Sequence, residues 1–516
     1  PQKASDGGYA VSDFRALNPR FGTLADLQVL AETLRNRGIL LTLDVVLNHT
    51  SDEHAWAQRA RAGDPDYQAY YYIFDDRTVP DLFEATMPNI FPELAPGNFT
   101  WDAAMNKWVM TVFNSYQWDL NYSNPSVFIE ILDIILYWAN QGADILRLDA
   151  VAFLWKKIGG TGQNEREAHL LLQLLRDCCH VAAPGVLFIA EAIVAPVEIT
   201  RYFGEDAINA KECEIAYNAT FMALLWDAVA TQNAKLLNLG IKSLPAKLER
   251  ATWLNYLRCH DDIGLGFDDN DARMAGYDPY AHRRFLIDYY TGHYPASPAR
   301  GLPFGHNDRT GDTRISGSLA SLAGLESALE SGETAIIERA VDTILLLYSM
   351  ILSFGGIPLL YYGDEIGTLN SRTYLDDPAK ANDSRWAHRP QLDWTTAELR
   401  HTLGTIQHRL FHAIKKMLAV RKEVAAFADF NNRELLEVSN PHLFVFSRFE
   451  ANQPTRRVLV VANFSNNIEQ LHLADLSRKA YFQQGIARDL HTGRTPPFTH
   501  EGLTVPPHGF YWLTDC

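Results

Sequence analysis

Two acidic residues follow apolar segments in this sequence and are suited to complementary roles in bond cleavage. Asp149 ends an apolar run over residues 143–148 and lies two positions from Arg147, on the same side of an extended strand. A neighbouring guanidinium favours the ionised carboxylate, which suits a nucleophile. Glu191 follows the apolar run 185–190 and lies between two alanines. An apolar setting favours the protonated carboxyl, which suits a general acid.

A third acidic position is found in the sequence His260-Asp261-Asp262. Retaining glycoside chemistry places a nucleophile and an acid/base about 5–5.5 Å apart around an oxocarbenium-like transition state, and a further carboxylate can brace the distorted sugar. Taken singly, each signal has a plainer interpretation: a surface ion pair, a charge at a strand end, or an acidic loop. Consecutive acids also suit a metal site or a clamp on sugar hydroxyls, and Asn48-His49 is a weak signal by itself.

Six short apolar runs, each ending in polar residues, must position these groups. Near-continuous apolar runs of this length are typical of parallel strands buried on both faces. Amphipathic helical spacing separates several of them, as in Leu24-Leu27-Leu30-Leu34. The alternation of strands and helices indicates an α/β fold, and functional groups at the carboxyl ends of the strands favour a TIM-type (β/α)8 barrel. Such a barrel needs eight strands, and six are visible in this sequence. The predicted strands lie in residues 38–47, 143–148, 185–190, 214–217, 252–258 and 357–362.

Two long segments interrupt the alternation, and loops of this length in a compact barrel are usually functional. After a last predicted helix over 401–427, segments 443–447, 458–463 and 503–505 have the pattern of strands joined by turns, which indicates an antiparallel β-sandwich. The predicted domains are a catalytic barrel over 1–50, 123–261 and 336–430, inserted domains over 51–122 and 262–335, and a C-terminal β domain over 431–516.

Charge and cysteine content exclude several classes of protein. The net charge of the 516-residue chain is −16, with no basic run, which argues against binding to nucleic acid or to anionic membranes. The five cysteines form neither a zinc pattern nor a disulfide framework, and as free thiols they favour a cytoplasmic location without excluding secretion. Residues 343–363 lack charge, but the sequence Gly355-Gly356-Ile357-Pro358 predicts a buried helix, a loop and a strand instead of a membrane span.

Four segments in order resemble the conserved regions of the α-amylase superfamily, glycoside hydrolase family 13. They are DVVLNH at 44–49, DILRLDAVAF at 144–153, FIAEAI at 188–193 and CHDD at 259–262. The likeness is narrower still to the amylosucrase and sucrose hydrolase subgroup, and it covers nearly the whole chain. It rests on SDGGYAVSDF at 5–14, FNSYQWDLNYSNP at 113–125, AVAFLWKK at 150–157, CHDDIG at 259–264, GDTRISG at 311–317 and DSRWAHRP at 383–390.

The resemblance implies a role for each matching position. Asp149 would be the nucleophile, Glu191 the acid/base, and Asp261 the group that stabilises the transition state. The remaining positions would bind the glucosyl unit: His49, Arg147 and His260 hold the ring, Tyr9 and Phe113 form a platform and a wall, and the pairs Asp6–Arg385 and Asp262–Arg314 close the pocket. Arg283 and Phe285 are similar to parts of a glucan-binding surface in that subgroup.

The implied activity is transfer of the glucosyl unit of sucrose to an α-1,4-glucan through a covalent glucosyl-enzyme. Sucrose hydrolysis, isomerisation, and an inactive fragment that only binds glucan are the alternatives. The resemblance implies no cofactor and no metal, and a monomer or homodimer. In the subgroup SDGGYA follows the second barrel strand, so the inserts would follow strands three and seven. An N-terminal helical domain and the first two barrel strands are therefore expected to be missing from this sequence.

Overall fold

The computed structural model describes residues 6–204, 211–307, 310–477 and 487–515, and its largest sheet is the parallel sheet of a barrel. Six strands pair in sequence order, with every neighbouring pair parallel. Five of them lie within a predicted apolar run and the sixth extends one residue beyond its run, to Asp149, so the predicted strands are confirmed. The strands are β1 (Thr42–Val46), β2 (Ile145–Asp149), β3 (Leu187–Ala190), β4 (Ile215–Tyr217), β5 (Thr252–Asn255) and β6 (Ile357–Pro358).

The last strand, β6, is shorter than the run 357–362 predicts. Pro358 has no N–H to donate to the ladder, and Gly363 turns the chain at a φ of 86° after two exposed or half-buried tyrosines. The preceding tight loop was correctly predicted. Gly355 and Gly356 have φ values of 105° and 100°, and a Cβ at Gly356 would lie 2.4 Å from the carbonyl oxygen of Trp253. Only glycine fits between the long helix and this strand.

Helices cover the outer face of the sheet and bury it. The helix Thr334–Ser353 is buried along most of its second half and leads directly into β6, while Ile406–Glu423 is shorter than the predicted 401–427. The other helices are Leu24–Asn36, Ala55–Arg61, Pro65–Gln68, Thr78–Glu84, Pro125–Asn140, Arg166–Ala182, Pro196–Ile199, Ala219–Thr231, Lys235–Lys242, Asp269–Ala275, Pro279–Tyr290, Leu319–Leu322, Leu325–Ser331, Trp394–Glu398, Ala425–Ala428 and Leu473–Ser477.

Both long interruptions of the barrel carry secondary structure of their own. In the first, a three-stranded sheet is formed by Ile73–Phe74, Lys107–Met110 and Phe99–Asp102, and Gln117–Asp119 pairs with His49–Ser51 just after β1. In the second, the hairpin of Leu302–Phe304 and Arg314–Ser316 lies beside two helices. The domain boundaries predicted above remain a proposal.

The C-terminal part is an antiparallel β domain, as predicted. Its first sheet has five strands in the order Arg433–Leu435, Leu443–Glu450, Gln453–Asn463, Phe510–Asp515 and Ala487–Asp489; a second pairs Glu469–His472 with Gly502–Val505. Leucines and valines from both sheets form a separate apolar core. Arg448 joins this domain to the barrel, because its buried guanidinium donates to the carbonyl oxygen of Ser353 at 2.6 Å.

The parallel sheet has two free edges in the described part of the chain. β1 pairs on one side with β2, and β6 pairs on one side with β5, so the sheet is open between β1 and β6. Side chains near the β1 edge are accordingly exposed, with Leu40 at 56% and Ile39 at 49%. None of the helices found in the described residues has the length and apolar character needed to cross a membrane.

Candidate active site

The two central carboxyl groups lie side by side at the carboxyl ends of β2 and β3. Leu148 pairs with Ala190. Asp149 and Glu191 are the residues that follow this pair, so they face each other across the sheet at the strand spacing of about 5 Å. Ala150 has a φ of 52°, in the left-handed region that non-glycine residues rarely adopt. Its N–H donates to Glu191 Oε2 at 2.9 Å. This turn fixes the acid/base candidate relative to the nucleophile candidate.

Burial raises the pKa of both carboxyl groups. For Glu191 the loss of solvent outweighs the opposing charge of Arg147, while the charges of Asp149 and Asp261 add to the rise, and the pKa reaches about 7. Arg147 Nη1 lies 2.8 Å from Asp149 Oδ1, as the spacing predicts. The guanidinium lowers the pKa of Asp149, but burial has the larger effect and the pKa is raised overall. The sequence-based expectation considered only the charge and omitted the cost of burial.

Asp261 differs from the other two acids because cations surround it. His260 Nε2 lies 3.1 Å from Asp261 Oδ2, and Arg389 and Arg385 lie 3.4 Å and 3.6 Å from Oδ1. Burial alone would raise the pKa of Asp261, yet these neighbours hold it well below its usual range. Burial alone would lower the pKa of His260, but the adjacent carboxylate of Asp261 raises it to about 10. The third carboxylate is therefore a fixed negative charge.

All of the predicted site residues converge on one cavity of about 240 Å³ at the carboxyl end of the barrel. Arg147 lies beneath it, where its guanidinium donates to Asp149 and Asp44 and its Nε donates to Tyr217 Oη at 3.0 Å. The other eleven predicted residues line the cavity: Asp6, Tyr9, His49, Phe113, Asp149, Glu191, His260, Asp261, Asp262, Arg314 and Arg385.

A buried ion pair lies in the lining of the cavity. Arg385 Nη2 lies 2.7 Å from Asp6 Oδ1, and the same guanidinium is held by Asp383, also at 2.7 Å. The side chains of Asp6 and Arg385 are only 10% and 4% exposed. Arg314 and Asp262 form the second predicted pair, with a separation of 3.4 Å.

Aromatic rings form the sides of the cavity. Tyr9 stacks on His260 with ring centroids 5.0 Å apart and an interplanar angle of 10°, and Arg147 lies 5.6 Å from the Tyr9 ring centroid. On the opposite side Phe113 contacts His49 at 5.4 Å and Phe153 at 5.1 Å. The platform and wall assigned by resemblance thus occupy two different faces of the same cavity.

Several residues of the site carried no readable signal in the sequence. Phe91 and Phe304 hold the guanidinium groups of Arg314 and Arg385, with carbon-to-centroid distances of 4.6 to 5.3 Å. Both phenylalanines lie in the inserts, where no periodicity distinguishes one aromatic residue from another. Asp44 was detectable in principle, because it begins the DVVLNH segment on the strand next to Arg147.

The acidic residues of the first insert do not gather around a metal site. Asp64 lies 2.7 Å from Arg59, and Asp52 and Asp102 both contact Arg61, so several of them are already paired. Within the described residues the one group of potential ligands whose atoms lie within 4.8 Å of one another is Cys259, His260 and Asp261. The last two already form an ion pair, as described above, and two guanidinium groups adjoin it. A cation would have to displace these contacts.

A second, larger cavity of about 1040 Å³ lies outside the catalytic centre, between the second insert, the helix Thr334–Ser353 and the C-terminal domain. It is lined by the aromatic rings of Tyr277, Phe285, Tyr289 and Tyr294. Arg283, which the resemblance assigns to the same surface as Phe285, does not line this cavity. Its guanidinium donates to the carbonyl oxygens of Leu265 and Phe267 and contacts Asp269, so it supports a loop.

The raised pKa of Glu191 predicts the alkaline limit of activity. A general acid must carry its proton, and the group loses it as the pH rises through about 7. We expect kcat/KM to fall about tenfold per pH unit above that point. A pH profile of donor cleavage checks this. Glu191→Gln is the control, because the residual activity of that variant should not fall as the pH rises above about 7. A wild-type profile that is flat from pH 6 to 9 would contradict the assignment.

The chain is similar to known carbohydrate-active proteins over its whole length. Residues 1–267 match the family described as alpha amylase, catalytic domain, and residues 433–512 match the maltogenic amylase, C-terminal domain. A trehalose synthase/amylase of Mycolicibacterium smegmatis is 29% identical, covering 98% of this chain and 83% of that protein. A glucosylglycerate phosphorylase of Escherichia coli is 26% identical, covering 92% and 79%.

Solved structures show the same fold. A trehalulose synthase MutB variant has a TM-score of 0.67 at 17% identity, covering 99% of this chain and 90% of that one. The sucrose 6F-phosphate phosphorylase of Thermoanaerobacter thermosaccharolyticum has a TM-score of 0.65 at 18% identity, covering 90% and 85%. Neither these proteins nor the two relatives above are named amylosucrases. The match of residues 1–267 shows the family, and the donor and acceptor remain to be inferred from the site.

Proposed function

The chain belongs to the α-amylase family, glycoside hydrolase family 13, whose members act on α-glucosidic bonds, and from this we propose that it is a retaining glucosyltransferase using sucrose. It would release fructose and pass the glucosyl unit to an α-1,4-glucan. The observation that supports this proposal most directly is the buried ion pair of Asp6 and Arg385, which the resemblance assigns to the closed end of the pocket. A cavity closed at one end suits a donor with a single glucosyl unit, whereas cleavage within a polymer needs an open cleft.

The proposed reaction has two displacements at the anomeric carbon. In the first, an Asp149 oxygen forms a bond to this carbon while the bond to the fructosyl oxygen breaks, and Glu191 gives that oxygen its proton. In the second, Glu191 takes a proton from an acceptor hydroxyl, whose oxygen displaces Asp149. Asp261, held ionised by its cations, is placed to offset positive charge at the ring in both transition states. The pKa of about 7 allows Glu191 to serve in both directions.

Phosphorolysis deserves comparison, because two of the similar proteins are named phosphorylases. Phosphate as an acceptor needs a cation free to receive it. Among the described residues that line the cavity, the guanidinium groups of Arg314 and Arg385 and the cationic imidazole of His260 are all engaged by carboxylates. The site therefore favours a neutral hydroxyl acceptor, either a glucan or water.

Incubation with sucrose, with and without glucan, tests the proposal. Free fructose well in excess of free glucose supports transfer, and equal amounts identify a hydrolase. A new disaccharide without free fructose identifies an isomerase, and glucose 1-phosphate on addition of phosphate identifies a phosphorylase. Retained glucan binding without turnover of sucrose, maltose or trehalose would show an inactive glucan-binding protein.

We also propose that the larger cavity binds the growing α-glucan. Aromatic rings line this cavity and can pack against a sugar chain, and Phe285→Ala removes one of them. The loss of about 1 kcal/mol of ring contact should weaken glycogen binding roughly fivefold. Retardation in glycogen-containing native gels measures this. Phe430→Ala is the matched control, since Phe430 is 41% exposed and lies outside the cavity. Equal mobility of wild type and Phe285→Ala would contradict the assignment.

A further inference from the structure

A buried lysine beside the active-site cavity is not used by the mechanism above. The side chains of Lys156 and Asp119 are both fully buried, and Lys156 Nζ lies 2.7 Å from Asp119 Oδ1. The same ammonium donates to Asn48 Oδ1 at 2.5 Å. Taking two charges out of water is costly, and apolar residues of similar volume often stabilise a fold at least as well. A role beyond stability would explain why charges lie here.

The ammonium determines which way the amide of Asn48 faces. An ammonium group only donates, so the Asn48 atom facing Lys156 must be the amide oxygen. The amide nitrogen is then the atom that donates to Asp119 Oδ1 at 2.8 Å, the same oxygen that pairs with Lys156, and it lies 3.2 Å from His49 Nδ1. A donor at that distance requires His49 Nδ1 to be the accepting nitrogen.

The tautomer of His49 then follows from its surroundings. Burial lowers the pKa of His49, so the ring is neutral and carries one proton, which must lie on Nε2. Nε2 lies 3.1 Å from the carbonyl oxygen of Tyr9 and donates to it. A chain of contacts therefore runs from Lys156 through Asn48 and His49 to the backbone carbonyl of Tyr9, whose ring is the proposed aromatic platform.

The same ion pair also orders the opposite wall of the cavity. Asp119 Oδ2 accepts from the N–H of Val112, immediately before Phe113. Lys156 lies three residues after Phe153, which contacts Phe113. One buried ammonium thus links the loop after β1, the first insert and the loop after β2.

We propose that Lys156 is a positioning residue, which fixes the tautomer of His49 and holds Tyr9 and Phe113 in place to receive the donor sugar. It touches no reacting atom. The proposal rests on the proposed function in one respect, that the ring bound between Tyr9 and Phe113 is the glucosyl unit of the donor. Contacts of this kind act on ground state and transition state alike, so their loss raises KM more than it lowers kcat.

The first test removes the ion pair without leaving one charge buried alone. In Lys156→Met/Asp119→Asn, we expect KM for sucrose to rise at least about tenfold while kcat changes by less than about threefold. The matched control is Arg176→Met/Glu214→Gln, which removes another largely buried pair, 2.6 Å apart, whose residues do not line the cavity. This control should lower the thermal midpoint with KM unchanged. A folded Lys156→Met/Asp119→Asn variant with wild-type KM would overturn the proposal.

The second test needs no substrate and remains valid if sucrose is not the donor. Imidazole ¹⁵N chemical shifts report which ring nitrogen carries the proton, and His49→Gln identifies the His49 signals. We expect Nε2–H alone in the wild type and in the Arg176→Met/Glu214→Gln control. Lys156→Met/Asp119→Asn should show a mixture of tautomers. A wild-type ring protonated on Nδ1, or a tautomer unaffected by loss of Lys156, would show that the ammonium does not act through His49.

Discussion

Asp149→Asn should lower the rate of donor cleavage by about four orders of magnitude, equivalent to about 5.4 kcal/mol in the activation barrier. An amide is a poor nucleophile and cannot form the glucosyl ester on which the proposed mechanism depends. The substitution conserves shape, and Asn Oδ1 can still accept from Arg147. The Arg147 guanidinium also keeps its contact with Asp44, so it is not left buried without a carboxylate partner. We therefore expect the fold to persist.

Initial rates of sucrose cleavage and thermal unfolding of the same preparations measure this effect. The exposed Asp376 provides the control, since Asp376→Asn makes the same chemical change at the end of a short 3-10 helix on the surface and should leave the rate unchanged. If Asp149→Asn kept more than about a tenth of wild-type activity, Asp149 could not be the nucleophile.

Glu191→Gln should lower the turnover of sucrose by about 10²- to 10⁴-fold, the usual contribution of a general acid. Glutamine cannot protonate the departing fructose. The leaving group of α-glucosyl fluoride needs no proton. With this donor, the first displacement should therefore be slowed much less by Glu191→Gln than it is with sucrose. The second displacement still lacks its base, so the glucosyl-enzyme should accumulate.

Intact-protein mass spectrometry after mixing with α-glucosyl fluoride detects this adduct as the addition of one glucosyl unit. Asp149→Asn is the matched control and should form none, because the atom that carries the adduct is missing. An equal loss with sucrose and with the fluoride would show that Glu191 acts in some way other than proton transfer.

The sequence by itself was sufficient to predict the order of the six barrel strands and the positions of the carboxylates. Both depend on local patterns: an apolar run buried on two faces is readable without its neighbours, and a polar residue after such a run must lie at the strand end. Asp149 and Glu191 could be placed for this reason. The conserved order of four short segments then indicated the family, because each segment is continuous in the chain.

The tertiary structure alone decided what surrounds those carboxylates. The pKa of Glu191 rises to about 7 because the barrel and the inserts exclude solvent. His260, the neighbour of Asp261 in the sequence, makes the largest contribution to keeping Asp261 ionised, and Arg389 and Arg385 add to it from more than a hundred residues away. Phe91 lies in the first insert, where no sequence periodicity marks it, and its ring contacts the guanidinium groups of Arg314 and Arg385. Charges and contacts of this kind depend on distances across the fold, and no pattern within a short segment encodes them.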